Sequence, residues 1–317
     1  MVFHDRPVLV SWTITKQCNL HCSHCYLTER NDEPDDLDNI TNSLIEAKIL
    51  AVTLTGGEPL MRADICNIIE KLASHNISVH LNTNGLLITP ELAARLRSAG
   101  IESVRISLDG ADETTHEKIR QATGSFRAAQ NAISILVSQG ITTSIATVPT
   151  IFNVHQLEEI VVLGHKLGAQ SHYFFRFVPT RGSEHNYLLL PAHKYIASMI
   201  NLSKSYSINW EEPLRATFSP ISSFGCSAGT TYVSLDNAGN VYPCPSLPIV
   251  IGNISEKSLI DIWNTRMLTR FRQRDFKPCL DCKYQQNCGG CRAAAWANCG
   301  DPYGPDPYCL QLGGGYR

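Results

Sequence analysis

Three features of the 317-residue sequence predict an α/β chain with a parallel sheet, either open and doubly wound or an incomplete barrel, followed by a cysteine-rich extension. Six short apolar runs alternate with amphipathic stretches between Val8 and Val178. Distinctive polar sequences follow four of those runs, at the strand ends where parallel sheets gather their chemistry. Eight of the twelve cysteines, Cys226 to Cys309, crowd into the last third.

The strand candidates are VLVSWTIT (8 to 15), AVTLT (51 to 55), ISVHLN (77 to 82), SVRISL (103 to 108), ITTSIATV (141 to 148) and HYFFRFV (172 to 178), rich in β-branched and aromatic residues. Helical periodicity fills 36 to 49, 63 to 74, 90 to 99, 112 to 139 and 153 to 167. The third helix has the clearest ends, with Thr89 as N-cap, Pro90 in the first turn and Gly100 as the stop. After Pro179 the stretch TRGSEHNYLLLP reads as a connector, 191 to 206 as a helix, and TYVSLDNAGNVYPC as a β-hairpin turning at Asn237 to Asn240. Beyond Phe276 the chain is rich in Cys, Gly and Pro and carries too little apolar periodicity to fold unaided, a deficit that bound metal would fill. The expected divisions are 1–180, a connector with a helix over 181–220, and 221–317.

A net charge of -2 without long runs of one sign leaves no electrostatic footprint for nucleic acid or an anionic membrane. Small molecules, peptides and proteins are the better partners. The first residues lack a secretory signal and no run of apolar residues is long enough to span a bilayer, so a cytoplasmic protein is expected. In that reducing compartment clustered thiols point to metal rather than disulfides.

In TKQCNLHCSHCYL, Cys18, Cys22 and Cys25 could be one face of a core helix, but Asn19, His21, Ser23 and His24 are polar. A zinc site would take His21 or His24 as its fourth ligand. A cubane iron–sulfur cluster held by three thiolates, with one iron open, suits the same compact spacing. Gly56-Gly57-Glu58-Pro59 is a tight turn or a bared backbone whose carbonyls can meet an ammonium group. NTNG (82 to 85) and SLDG (107 to 110) have the same double reading, as turns or as hydrogen-bonding strand ends. Cys279-x2-Cys282 with Cys288-x2-Cys291 is too regular for scattered thiols; eight distal cysteines would serve two cubanes or a pair of zinc knuckles. Cys66, spaced with Ile65, Ile68 and Ile69, reads as core. Arg266, Arg270 and Arg274 recur at helical spacing, as a solvated face or, more sharply, a docking patch for an acidic peptide or a reductase. His172, Tyr173 and Arg176 are expected near the mouth without an assigned role.

Cys-x3-Cys-x2-Cys followed by Tyr26, after the first strand of a βα repeat and with GGEP at the next strand end, resembles the radical S-adenosylmethionine enzymes. The resemblance covers essentially the whole chain and implies a partial (β/α)6 TIM-type barrel. It implies that Cys18, Cys22 and Cys25 bind a 4Fe-4S cluster whose open iron is chelated by the amino and carboxylate groups of S-adenosylmethionine. It gives Gly56, Gly57, Glu58 and Pro59 the cofactor's amino group and places Asn82, Thr83, Ser107 and Asp109 around the cofactor or substrate. Arg120 would pair with the cofactor carboxylate, or else be a solvated helix-surface arginine. The strand at 144 to 148 stands where relatives pack the adenine, and Arg181 where relatives of the sixth strand often have glycine.

The distal pattern of Cys226, Gly239-x4-Cys244, Cys279-x2-Cys282-x5-Cys288, Cys291 and Cys309 resembles the SPASM extension, in the branch of pyrroloquinoline quinone, mycofactocin and haem-processing maturases. The departure is Gly289-Gly290, two residues where three are usual. The resemblance implies one or two auxiliary iron–sulfur clusters, one on Cys279, Cys282, Cys288 and Cys309, the other on Cys226, Cys244 and Cys291, which Cys299 completes or leaves open. It further implies reduction by a flavodoxin or ferredoxin, cleavage of S-adenosylmethionine to a 5'-deoxyadenosyl radical, and hydrogen abstraction from a substrate. A ribosomally made peptide, crosslinked, oxidised or epimerised, is the first expectation, although the chain starts close to its first strand and leaves no room for an amino-terminal peptide-recognition domain. A tetrapyrrole or a small metabolite such as a sugar or nucleoside is the rival. A non-catalytic electron carrier is the reading from another class, and GGEP with SLDG speak against it.

Overall fold

The computed structural model describes residues 4–27, 36–179, 184–217 and 225–313. Arg181 and the expected boundary at 180–181 lie outside them. All six expected strands form: β1 (Leu9–Thr13), β2 (Ala51–Thr55), β3 (Ser78–Thr83), β4 (Ser103–Ser107), β5 (Thr142–Thr147) and β6 (Ser171–Phe175). Each pairs in parallel with the next, and the crossover helices are α1 (Leu37–Glu46), α2 (Ile65–Ala73), α3 (Pro90–Ser98), α4 (Glu113–Arg120), α5 (Ser125–Ser138) and α6 (Leu157–Lys166). Thr89 caps α3 by accepting from the Leu92 amide at 3.1 Å, and Cys66 is buried on α2.

One helical stretch is corrected. Residues 112 to 139 form two helices, because Gln121 turns into the left-handed region at φ 56 and Gly124 follows at φ 81. The break turns the end of α4 toward the cysteine loop, as described below.

After α7 (Ala192–Ser205) the sheet continues. A short strand unforeseen in the sequence, β7 (Asn209–Glu211), adds in parallel to β6, while β8 (Tyr232–Leu235) pairs in parallel with β1 at the opposite side. The expected hairpin is β8 with β9 (Asn240–Tyr242), and β10 (Gly252–Asn253) completes a ten-stranded sheet in the order β10-β9-β8-β1-β2-β3-β4-β5-β6-β7. The result is a partial barrel of TIM type. Three further helices, α8 (Leu259–Trp263), α9 (Arg266–Gln273) and α10 (Arg292–Cys299), belong to the carboxyl-terminal third.

Strand alternation gives the sheet two unlike faces. Val10, Trp12, Val52, Leu54, Val79, Leu81, Val104, Ile106, Ile145 and Phe174 are buried and form the main core. The opposite face is polar: Ser11, Thr53 and His80, then Asn82, Arg105 and Ser144, stand in register across neighbouring strands. The polar face is the inside of the partial barrel, and its mouth lies at the carboxyl ends of β1 to β6.

Candidate active site

The base of the cysteine loop is fixed by backbone. Thr15 and Gln17 accept from the amides of Gly57 at 2.8 Å and Glu58 at 2.7 Å, so the exit of β1 is stitched to the exit of β2. A Cβ at Gly56 would lie 2.2 Å from the Thr15 carbonyl oxygen, and one at Gly57 2.0 Å from that of Gln17. Gly56 also adopts φ 143, open only to glycine. These two glycines are therefore needed where two strand exits press together.

Glu58 is fully buried and its carboxylate accepts from the Leu60 amide (3.1 Å), the Thr83 hydroxyl (2.7 Å) and the Asn84 amide (2.8 Å). Burial pushes this carboxyl up, and the three donors oppose that shift. Glu58 and Thr83 thus join the ends of β2 and β3, and Pro59 opens the one-turn helix beside them. Asn84 extends the tie by donating to Asn19 in the cysteine loop at 2.8 Å.

The third support comes from α4. The Ile119 carbonyl accepts from both the amide (2.9 Å) and the hydroxyl (3.1 Å) of Ser23. Arg120 is buried rather than solvated: one guanidinium nitrogen lies 2.6 Å from the Asp109 carboxylate and another donates to the Cys22 thiol at 3.7 Å. His24 approaches the same Asp109 oxygen at 3.3 Å, and the Val148 amide donates to the other at 2.9 Å. Burial favours the protonated Asp109 carboxyl, but Arg120, then His24 and the Val148 amide, outweigh it and hold it below the ordinary range.

These contacts fit an iron–sulfur cluster. Cys18 accepts from the Leu20 amide at 3.4 Å and Cys22 from Arg120 at 3.7 Å. His24, one candidate fourth zinc ligand, is turned to Asp109, and His21 is exposed. Among the described residues no three His, Cys, Asp or Glu side chains converge tightly enough to hold a single metal ion. A cubane spreads its ligands over separate irons and needs no such convergence. Asn82 and Ser107 stand on the polar inner face, Asn82 3.4 Å from Arg105.

In the carboxyl-terminal third the thiols fall into two neighbourhoods. Cys244 is electrostatically coupled to Cys226 and Cys291, whereas Cys279 and Cys309 are coupled to each other and to Cys282, and Cys288 is coupled to Cys309. Burial pushes Cys288 up to about 12 and Cys291 to about 11, so a metal held by them would have to displace their protons. Cys299 lies at the far end of α10 from Cys291, eight residues or roughly 12 Å along the axis, and its thiol donates to the Ala295 carbonyl at 3.2 Å. Cys299 is therefore set apart from Cys291 along that helix.

Buried cations surround these thiols. Arg274 corrects the solvated-face expectation: it ends α9 in the left-handed region, is 1% exposed, and donates to the Cys226 carbonyl at 3.1 Å. Arg292 donates to the carbonyls of Pro302 (3.1 Å) and Gly304 (2.8 Å) and lies over the Phe276 ring. A Cβ at Gly289 would lie 2.4 Å from Arg274, and one at Gly290 2.7 Å from Arg292, so the shortened Gly-Gly interval makes room for two guanidiniums.

A triad with no role assigned from the residues alone links barrel to extension. Arg176, just beyond β6, bridges Glu212 at 3.2 Å and Asp306 at 3.0 Å, and Asp306 accepts from the Cys291 amide at 2.7 Å. Asp306-Pro307 is a readable turn signal, but its bond to a residue 130 positions away is not. His172 points to the helix side, packed against Gly164 and His165 rather than at the mouth.

The sequence matches the Radical SAM superfamily over residues 12–163 and the SPASM iron–sulfur cluster-binding domain over 226–291. An AdoMet-dependent heme synthase of Methanosarcina barkeri is 29% identical over 98% of each chain. Mycofactocin maturase MftC of Mycobacterium ulcerans is 30% identical over 97% of this chain and 89% of its own. In fold the chain is similar to Streptococcus suis SuiB bound to S-adenosylmethionine, with a TM-score of 0.78 at 19% identity, covering 96% of this chain and 77% of SuiB. It is equally similar to anSMEcpe with bound AdoMet and a peptide, with a TM-score of 0.77 at 18% identity, covering 97% and 95%. The chain belongs to the radical S-adenosylmethionine superfamily, as an enzyme that uses a 4Fe-4S cluster with S-adenosylmethionine and carries a SPASM domain for auxiliary iron–sulfur clusters.

Proposed function

We propose that this enzyme modifies a ribosomally made peptide, by crosslinking, oxidation or epimerisation, in the cytoplasm, with a flavodoxin or ferredoxin as reductant. The supporting observation is the polar inner face of the sheet, from Ser11 to Asn209, which opens at the same mouth as the cysteine loop and offers hydrogen-bonding groups along an extended surface. Similarity to a PqqA peptide cyclase of Gluconobacter oxydans, 24% identical over 98% of this chain, agrees with it. A tetrapyrrole substrate is the second reading, favoured by similarity to a heme synthase along 98% of both chains.

Cys18, Cys22 and Cys25 would hold the cluster, which with S-adenosylmethionine would supply reductive cleavage of that cofactor and hydrogen abstraction from the substrate. The chain's own part is orientation. Gly56, Gly57 and the Glu58–Thr83–Asn84 ties hold the cysteine loop against β2 and β3, and Arg120 with Asp109 holds it against α4 and β5. We assign Gly56 to Pro59, Asn82, Ser107, Asp109 and Arg120 to the cofactor's surroundings, and Cys226 to Cys309 without Cys299 to the auxiliary clusters, within divisions at 1–180, 181–220 and 221–317.

The test is anoxic incubation with dithionite and S-adenosylmethionine, alone and with a short peptide encoded beside the gene. Deoxyadenosine and a changed peptide mass are expected from the wild type, and neither from Cys22→Ala, which keeps its auxiliary iron. Deoxyadenosine with an unchanged peptide, and a mass change in a porphyrin instead, would replace the peptide reading by the tetrapyrrole one.

A further inference from the structure

Among the described residues, one arginine of the polar inner face forms no ion pair with a carboxylate. Arg105 lies in the middle of β4, two residues before Ser107 and on the same side. Its Nε is buried without a hydrogen-bond partner, and its one hydrogen bond, to the Asn82 side chain, is long at 3.4 Å. The guanidinium carbon lies 3.7 Å from the centre of the Tyr173 ring and 5.5 Å from that of Phe175, which is stacked on Tyr173. Ala146 and Ser144 on the intervening β5 are small enough for the arginine to cross that strand and reach β6.

A half-buried guanidinium without an acid is costly unless something compensates it. Other inner-face groups register the same field. Burial lowers the His80 imidazole and Arg105 lowers it further, while at the sheet edge burial raises the Glu211 carboxyl and Arg105, without forming an ion pair with it, only partly opposes that rise. Arg120 has Asp109 and Arg176 has Glu212 and Asp306. Of these three arginines, Arg105 alone forms no ion pair with a carboxylate among the described residues, and its Nε is left without a hydrogen-bond partner.

We propose that Arg105 anchors a carboxylate of the substrate inside the barrel, held by the Tyr173 and Phe175 shelf. Resting on the radical-enzyme reading above, this names the substrate class as a carboxylate. A guanidinium fixed in plane by an aromatic ring presents two parallel donors that match a carboxylate edge on. The anchor lies one residue pair deeper than Ser107, below the expected cofactor level, so it would fix how far a substrate enters. A peptide's terminal or side-chain carboxylate and a tetrapyrrole's propionate share this chemistry.

The experiment measures binding to the fully reconstituted enzyme by two matched probe pairs. One is a peptide encoded beside the gene with a carboxylate terminus and acidic residues, against the same peptide fully amidated. The other is protoporphyrin against its dimethyl ester. One free acid is expected to bind about ten- to hundredfold tighter than its neutral partner, and which pair discriminates identifies the source. Arg105→Met should erase that difference, whereas Arg105→Lys keeps part of it, both at wild-type iron and sulfide content. The inference is overturned if neither pair discriminates, including by failing to bind, or if Arg105→Met discriminates as the wild type does. Deoxyadenosine formation by the wild type is scored separately: its absence sinks the function, whereas its presence beside an unresponsive Arg105 sinks only the anchor.

Discussion

In the barrel, β2 to β6 send Val52, Leu54, Val79, Leu81, Val104, Ile106, Ile145 and Phe174 into one continuous apolar core under the helices. In the carboxyl-terminal third, β8, β9 and α8 join that core, whereas the segments around the thiols rest on a far smaller cluster of Ala228, Leu247, Phe271, Phe276 and Ala293, and two of the largest fully buried side chains there are Arg274 and Arg292. Their guanidiniums reach backbone carbonyls and stand among thiols. The first region is stabilised by area removed from water. The second places positive charge where thiolates and the clusters they hold would bring negative charge, so its stability depends on what it binds.

The largest effect should separate the two regions outright. Removing iron by chelation is expected to leave amides of β2 to β5 protected while those of α9, α10 and residues 279–291 exchange orders of magnitude faster by hydrogen-exchange mass spectrometry. Equal loss of protection in both regions would erase the contrast. Next, Arg176→Gln strands Glu212 and Asp306 at the junction and should cost about 3–5 kcal/mol in denaturant unfolding of the holoprotein.

A smaller effect tests the barrel alone. Burial, then neighbouring His165, holds the His172 imidazole down at about 4 against 6.5 unfolded. The unfolded chain therefore binds the extra proton first. The contribution is present above pH 6.5 and is lost as pH falls from there toward 4, by at most about 3 kcal/mol. His172→Leu should flatten that part of the stability–pH curve, and an unchanged slope would mean the ring is not buried as neutral. Smallest is Thr89→Ala, which removes the α3 cap and should cost about 1 kcal/mol with no change in iron content.

The same contrast explains what could be read from the residues. Period-two runs of Val and Ile announce strands and locate their ends, so the mouth with its cysteine, GGEP, NTNG and SLDG loops was legible. The internal use of Glu58 was not, since its partners Thr83 and Asn84 lie 25 and 26 positions away and a turn glutamate carries no mark of burial. Helical spacing makes Arg266, Arg270 and Arg274 look alike, yet the left-handed turn at Arg274 carries it inward while Arg270 faces Asp275 near the surface. Gln121 broke a helix that periodicity carried through, because a left-handed non-glycine residue leaves little trace in composition. Where burial is apolar the sequence shows it, and where it is ionic only the partners do.

The three thiols that the ends of β2, β3 and α4 hold at the mouth decide whether S-adenosylmethionine can meet iron there. The direct measurement is electron–nuclear double resonance on the reduced holoenzyme with S-adenosylmethionine isotopically labelled at its amino nitrogen. Coupling of that nitrogen to a cluster is expected in the wild type and lost in Cys22→Ala, and no coupling in the wild type, with its clusters loaded and reduced, would contradict the account.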